Sequence, residues 1–486
     1  MTIRKVWPAI LFVIVVRNVE ARDIWAESRL ADNKIGFYHE ASTANGSATV
    51  TTIANEFTFN RMGAKVEIKS SSQYTEDADS RLLSIHSVMT SSAQSTVMGV
   101  TVGPHVLTVR TSTGGKTYDR TVTFEGEILG PEAARRLTVS RLKSPGDAVS
   151  YQMFFPDLSA VATVHDELAG SDRITVDGTD RKALKLRQTM SAMPGASTLW
   201  LDDTGWLLRQ VMPSPFGEIE TTAISASAHI AEPAGAELPR ESFAGTLVHS
   251  NVQLPQERRI EQVKIRIHHQ QPDLGWPDFT AENQTVIDQT RDTVVLEVRR
   301  VSPQSRAVLP LASRDFLTPN ALLQSDDAEV RAIAAQIAGD DRDVYSVARK
   351  LRRWTNENMK FDLGIAIVPA SEVVRNRRGT CFGYAVLLAS LARAAGVPSR
   401  FRMGFAYTHG VWGGHAWVEV LVGKQWIPLD AALYAPGAAD AARFSFYTSG
   451  LEEGAVTGVG ALAKLYGHVD IDILEYTLDG KRTRVE

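Results

Sequence analysis

A chain of 486 residues is long for one hydrophobic core, and at roughly 150 residues per domain it divides into about three units. Its 44% hydrophobic and 22% charged residues are those of a globular protein. A formal net charge of −4 supplies no basic surface for neutralising phosphates, so nucleic acid is excluded as an expected partner.

The first 21 residues read as an export signal. Arg4 and Lys5 supply positive charge, Val6 to Val16 form an apolar run, and Val19-Glu20-Ala21 resembles a small-residue cleavage site. The run is short of the roughly 20 residues that a spanning helix needs, so a short N-terminal anchor is the lesser reading. The expected location is therefore exported, periplasmic or secreted. The single cysteine, Cys381, rules out an intramolecular disulfide even in an oxidising compartment.

Residues 22–240 are expected to form an antiparallel β-rich domain, because polar and apolar residues alternate over short stretches broken by Gly, Asn and Asp. Gly114-Gly115 and Asp202-Asp203-Thr204-Gly205 mark hairpin turns, and Gly130 to Leu142 predicts a short helix. Ala231 to Pro239, rich in Pro, Gly and Ala, reads as a linker. Residues 241–305 form a small β segment, with strands expected at Gln262 to His268 and Asp292 to Val301. The adjacent His268 and His269 point to opposite strand faces and so are not a metal pair.

Helical periodicity begins after residue 306. Ser325 is the expected cap of a helix from Asp326 to Ala338 that stops at Gly339, and a second helix runs from about Arg342 to Met359. A third runs from Cys381 to Ala395, with Thr380 at its N-cap position, Gly396 just past its end and Pro398 beyond. Strands follow at Ser399 to Tyr407, His415 to Leu421 and Gln425 to Leu429, so residues 306–450 are α+β. Residues 451–486 are read as a C-terminal extension.

Thiolate is the nucleophilic form of cysteine, and the N–H groups at a helix start favour negative charge there. The backbone N–H of Cys381 also offers one donor for an oxyanion, a role worth about 2.7 to 4 kcal/mol in a comparable hydrolase. The 15-residue separation of His415 and Asp430 makes them direct cross-strand partners if a tight turn is centred on Val422-Gly423. Asp430 would then hold one ring nitrogen and leave the other for the thiol. Taken singly, the cysteine reads as a buried hydrophobe, the histidine as a packed residue and the aspartate as a turn former; one geometry accounts for all three. His409 is a rival base, in a loop without a carboxylate opposite, and Glu419 reads as an edge charge.

The run from Leu317 to Leu433 resembles the transglutaminase-like superfamily of papain-type thiol enzymes, in its short bacterial-type form. The resemblance rests on Ala370-Ser371-Glu372-Val373-Val374, Gly379-Thr380-Cys381, Leu391 to Pro398, Gly414-His415-Ala416-Trp417-Val418-Glu419 and Trp426-Ile427-Pro428-Leu429-Asp430. It implies a transglutaminase-like domain at residues 306–450, with Cys381 as nucleophile, His415 as general base and acid, and Asp430 as the residue that orients the imidazole. No calcium loop is present and no metal or other cofactor is expected; Trp354 does not match the family's oxyanion tryptophan in spacing. The β region resembles the curled sheets of periplasmic lipoprotein-carrier-like domains, without a specific motif, and is read as a plain β-domain.

The expected function is an exported thiol enzyme that takes an acyl group from an amide of a protein or peptide and passes it to water or an amine. The alternative is a non-catalytic binding or scaffold protein whose β region engages a cell-envelope partner.

Overall fold

In the computed structural model, the described residues are 22–61, 64–91, 94–214, 216–225, 236–237, 246–311, 313–365, 367–454 and 456–485. The proposed signal at 1–21 lies outside them, as does the Ala231 to Pro239 linker apart from Ala236–Glu237. Among the described residues no helix is long and apolar enough to cross a membrane.

The N-terminal region is a 15-stranded sheet, almost wholly an antiparallel meander. Strands from Arg22–Leu30 to Lys116–Thr123 pair in sequence, as do those from Ala148–Phe155 to Gly217–Ile224. The two runs join where Trp25 lies opposite Ile224. One buried face is unusually polar: Ser28, Ser42, Thr51, Ser72 and Ser87 are all nearly inaccessible. Hydroxyls satisfy one another across strands, Ser28 with Thr221 at 2.9 Å and Ser72 with Ser87 at 2.9 Å. The helix expected between Gly130 and Leu142 spans Pro131–Arg141. Gly130 brings no capping side chain, and Glu76 from a neighbouring strand accepts from the N–H groups of Glu132 and Ala133 instead.

Two 5-stranded sheets, one two-stranded pairing and a set of helices make up the rest of the described residues. In the first sheet the order is Gln284–Gln289, Thr293–Arg299, Gln262–His269, Val469–Leu478 and Lys481–Arg484. Residues expected as a C-terminal extension thus pair directly with the small β segment, Ile267 opposite Ile471. In the second sheet Val411–Val422 lies between Ser399–Thr408 and Gln425–Leu429, with Val248–His249 beside its first residues and Arg443–Ser449 beyond Ser399–Thr408.

The two sheets and the helices share one core that joins Ile265, Leu296 and Ile473 to Val386, Leu388 and Phe401. At its centre the helix Cys381–Ala394 is buried from Phe382 to Arg393, and Val386, Leu387, Leu388 and Ala389 are fully buried. The two preceding helices are Ala328–Ala338 and Val344–Asn358, and a short third, Ala370–Asn376, follows Pro369. The first is capped by Asp327, which accepts from the N–H groups of Glu329 and Val330, in place of the expected Ser325. A carboxylate one residue before the helix reaches its N2 and N3 donors; Ser325 stands outside that reach and bonds elsewhere.

Candidate active site

Cys381 is the first residue of its helix and is half-buried. Thr380 occupies the N-cap position with extended dihedrals, but its hydroxyl makes no capping bond. The first-turn N–H groups beside the sulfur are therefore not claimed by a capping side chain, which favours an anion there. The approach to the cysteine is held by a short parallel pairing of Lys360–Phe361 with Arg378–Gly379.

His415 comes from the strand Val411–Val422, opposite Gly404. Its Nε2 lies 2.7 Å from Oδ2 of Asp430, which leaves Nδ1 for the thiol. The register differs from the sequence expectation. The closing pair is Val422 with Gln425, so the turn is Gly423-Lys424, and Val418 stands opposite Leu429. Gly423, at φ +65, takes the left-handed first position that a two-residue hairpin turn of this hand requires. His415 and Asp430 are thus diagonal neighbours. A shift of the turn by one residue moves the register by two, so both side chains stay on the same face.

Asp430 is 1% exposed and fully bonded. Its Oδ1 accepts from the backbone N–H groups of Ala432 at 2.8 Å and Leu433 at 2.9 Å, while Oδ2 accepts from His415 and from Arg443. Burial would raise its pKa, but His415 and Arg443 hold it well below the usual carboxylate range. Burial also opposes charge on His415, yet Asp430 and the Cys381 sulfur outweigh it and raise the pKa to about 9. At Cys381 burial pushes the thiol up; the bond and charge of His415 and the backbone N–H of Ala416 overcome that and lower it. The combination favours a thiolate–imidazolium pair near neutral pH.

Arg443, Asp440 and Arg258 belong to this network and carried no signal in the sequence. Arg443, 1% exposed, bridges Asp430 and Asp440, bonding Asp440 at 2.6 Å. Arg258 reaches the same Asp440 oxygen at 3.0 Å. An Arg 13 residues beyond Asp430 has no local spacing that marks it as a partner. Trp417 packs parallel to the His415 ring, 6.1 Å between centroids, and lies under the Arg443 guanidinium.

Glu419 is buried rather than an edge charge: it accepts from Arg400 at 2.7 Å, because Gln425–Leu429 covers the strand at that point. His409 sits in an exposed turn with its ring against Thr408 at 3.1 Å. Trp354 stacks under Arg377, 4.5 Å from guanidinium carbon to ring centre. A cavity of about 580 Å³, lined by Asp341, Asp343, Tyr345 and Arg349 among others, shares no residue with the thiol site. Among the described residues no cluster of His, Cys, Asp and Glu is placed to hold a metal ion.

Residues 331–431 match the family model of the transglutaminase-like superfamily. No curated protein matches the chain. Among solved structures, a candidate cysteine protease from Cytophaga hutchinsonii is 18% identical over 47% of this chain and 85% of its own, with a TM-score of 0.31. A β-barrel-like protein of the domain of unknown function DUF1849 from Brucella abortus is 7% identical over 42% of this chain and 96% of its own, with a TM-score of 0.34. A candidate protease from Parabacteroides distasonis is 12% identical over 70% of this chain and 64% of its own, with a TM-score of 0.18. The stretch from Arg331 to Ala431, which contains Cys381, His415 and Asp430, is a transglutaminase-like domain that follows a large antiparallel β region.

Proposed function

We propose that the protein is an exported thiol enzyme of papain-like arrangement that transfers acyl groups from amide bonds of peptides or proteins. The observation that carries this reading is the contact chain from Cys381 through His415 to Asp430, at the start of a helix without a side-chain cap. The Cys381 thiolate attacks the amide carbonyl carbon, and the carbonyl oxygen takes up the negative charge beside the Cys381 backbone N–H. As the carbon–nitrogen bond breaks, the His415 imidazolium gives its proton to the leaving amine, and a thioester remains on Cys381. Neutral His415 then takes a proton from the incoming water or amine, which displaces the sulfur as thiolate. Asp430 keeps the imidazole oriented through both halves and favours its charged form.

Wild type and Cys381→Ala are to be incubated with a peptide amide and a labelled primary amine, and both the hydrolysed and the amine-linked products measured. Formation of either product by wild type alone is expected. Equal product from the two proteins would rule the reading out. Export rests on residues 4–21 of the sequence, and mass analysis of protein from a secreting host should find Arg22 as the first residue.

A further inference from the structure

The β region touches the thiol domain at a built contact rather than by loose apposition. The hairpin of Val106–Thr113 and Lys116–Thr123 turns at Gly114-Gly115, both left-handed, with φ of +58 and +78. Its tip enters between two segments that lead to the cysteine. Gln324, fully buried, donates to the carbonyl of Thr113 at 3.1 Å and accepts from the backbone N–H of Ser371 at 3.0 Å. A Cβ on Gly114 would stand 2.1 Å from the Ser371 hydroxyl, which is itself buried and without a hydrogen-bond partner. One step along the hairpin, Lys116 and Tyr118 hold the Asp326 carboxylate at 2.8 and 2.9 Å, next to the Asp327 cap.

Both segments bear on Cys381. Ser371 lies in the first turn of the helix Ala370–Asn376, which packs on the Cys381 helix so that a Cβ on Gly383 would meet the Val373 side chain at 3.6 Å. The helix capped by Asp327 packs on the same Cys381 helix. Resting on the thiol-enzyme reading above, we infer that the hairpin Thr113–Lys116 is a positioning element of the active site: the β region fixes where the Cys381 helix begins. Gly114 and Gln324 are its positioning residues, and neither touches the reacting atoms.

The test compares Gly114→Ala with Gly115→Ala. Both place an alanine at a left-handed φ, but Gly115 faces open space, so it reports backbone strain alone. The rate of Cys381 alkylation by iodoacetamide is followed from about pH 5 to about pH 9, alongside the melting temperature. Gly114→Ala is expected to slow alkylation about tenfold below neutral pH and to move the rising limb of the profile upward, as a thiol loses its imidazole contact. Adding Ser371→Gly, which removes the obstructing hydroxyl, should restore the rate, and Gly115→Ala should keep the wild-type profile. Where Gly114→Ala does not fold, the double variant Lys116→Met and Tyr118→Phe loosens the same hairpin at partly exposed positions, with a slowing of about threefold expected. A wild-type rate and pH profile in Gly114→Ala, or in that double variant, would overturn the inference, as would equal impairment in Gly115→Ala. A wild-type thiol no faster than free cysteine at about pH 6 would overturn the thiol-enzyme reading and this inference with it. A fast wild-type thiol with unmoved variants overturns the inference alone.

Discussion

His415 and Arg443 donate to the same oxygen of Asp430, so the carboxylate that orients the imidazole is itself pinned by a buried guanidinium. Arg443 also neutralises Asp440, which is almost fully enclosed. Replacing Arg443 by Met would leave two buried carboxylates short of a partner. A loss of about 3 to 5 kcal/mol in unfolding free energy is expected, read from urea denaturation. Arg443→Lys keeps the charge but not the fork that serves two acids at once, and should fall between the two. Wild-type stability in Arg443→Met would contradict this account of the network.

Asp430→Asn keeps the size of the side chain and removes the charge that lifts His415. Without it, burial dominates at His415 and its pKa falls, which in turn raises that of Cys381. Iodoacetamide labelling at about pH 6 should slow by roughly tenfold, because less of the sulfur is then thiolate. Unchanged labelling would mean that the helix start alone activates the sulfur.

The pH dependence has a defined sign. His415 has a folded-state pKa of about 9 against an ordinary 6.5, so the stability it contributes is complete below about pH 6.5 and is lost as the pH rises through about 9. Acyl transfer needs the imidazolium to protonate the leaving amine, and its rate should fall over the same upper range. Initial rates and urea midpoints measured across that range check both halves. Activity still climbing at about pH 10 would exclude His415 as the proton donor.

Asp327 offers a contrast, because its carboxylate caps the helix Ala328–Ala338 and makes no bond to the thiol site. Asp327→Ala should cost about 1 kcal/mol in stability and slow labelling by less than Gly114→Ala does, because the helix stays packed on the Cys381 helix. A slowing as large as that of Gly114→Ala would tie the cap to the chemistry rather than to the helix.

Much of the site was legible because it depends on parity and on chain-local signals. Cys381 at a helix start follows from Thr380, the apolar run and Gly396, and His415 shares a face with Asp430 under any even shift of register. The position of the turn was less legible, since Gly423 fits either the first or the second central place and only the observed pairing distinguishes them. The helix Ala370–Asn376 is too short for apolar periodicity to stand out. Arg443, Arg258 and Gln324 act across 13, 182 and 211 positions respectively, the second reaching Asp440 (440 − 258), and such partners leave no mark in a local window. The polar inner face of the β region was hidden for a related reason: serines and threonines that satisfy one another across strands look like surface positions in the sequence.

The strand Gln262–His269 lies between Thr293–Arg299, made soon after it, and Val469–Leu478, made among the last of the described residues. During synthesis its second edge therefore stays bare until Val469–Leu478 has been made, after Cys381, His415 and Asp430. An open edge with Val263, Ile265 and Ile267 on one face is a template for pairing with another nascent chain. Covering that edge takes Val469–Leu478, so the core around the Cys381 helix is completed by a strand made after all three site residues.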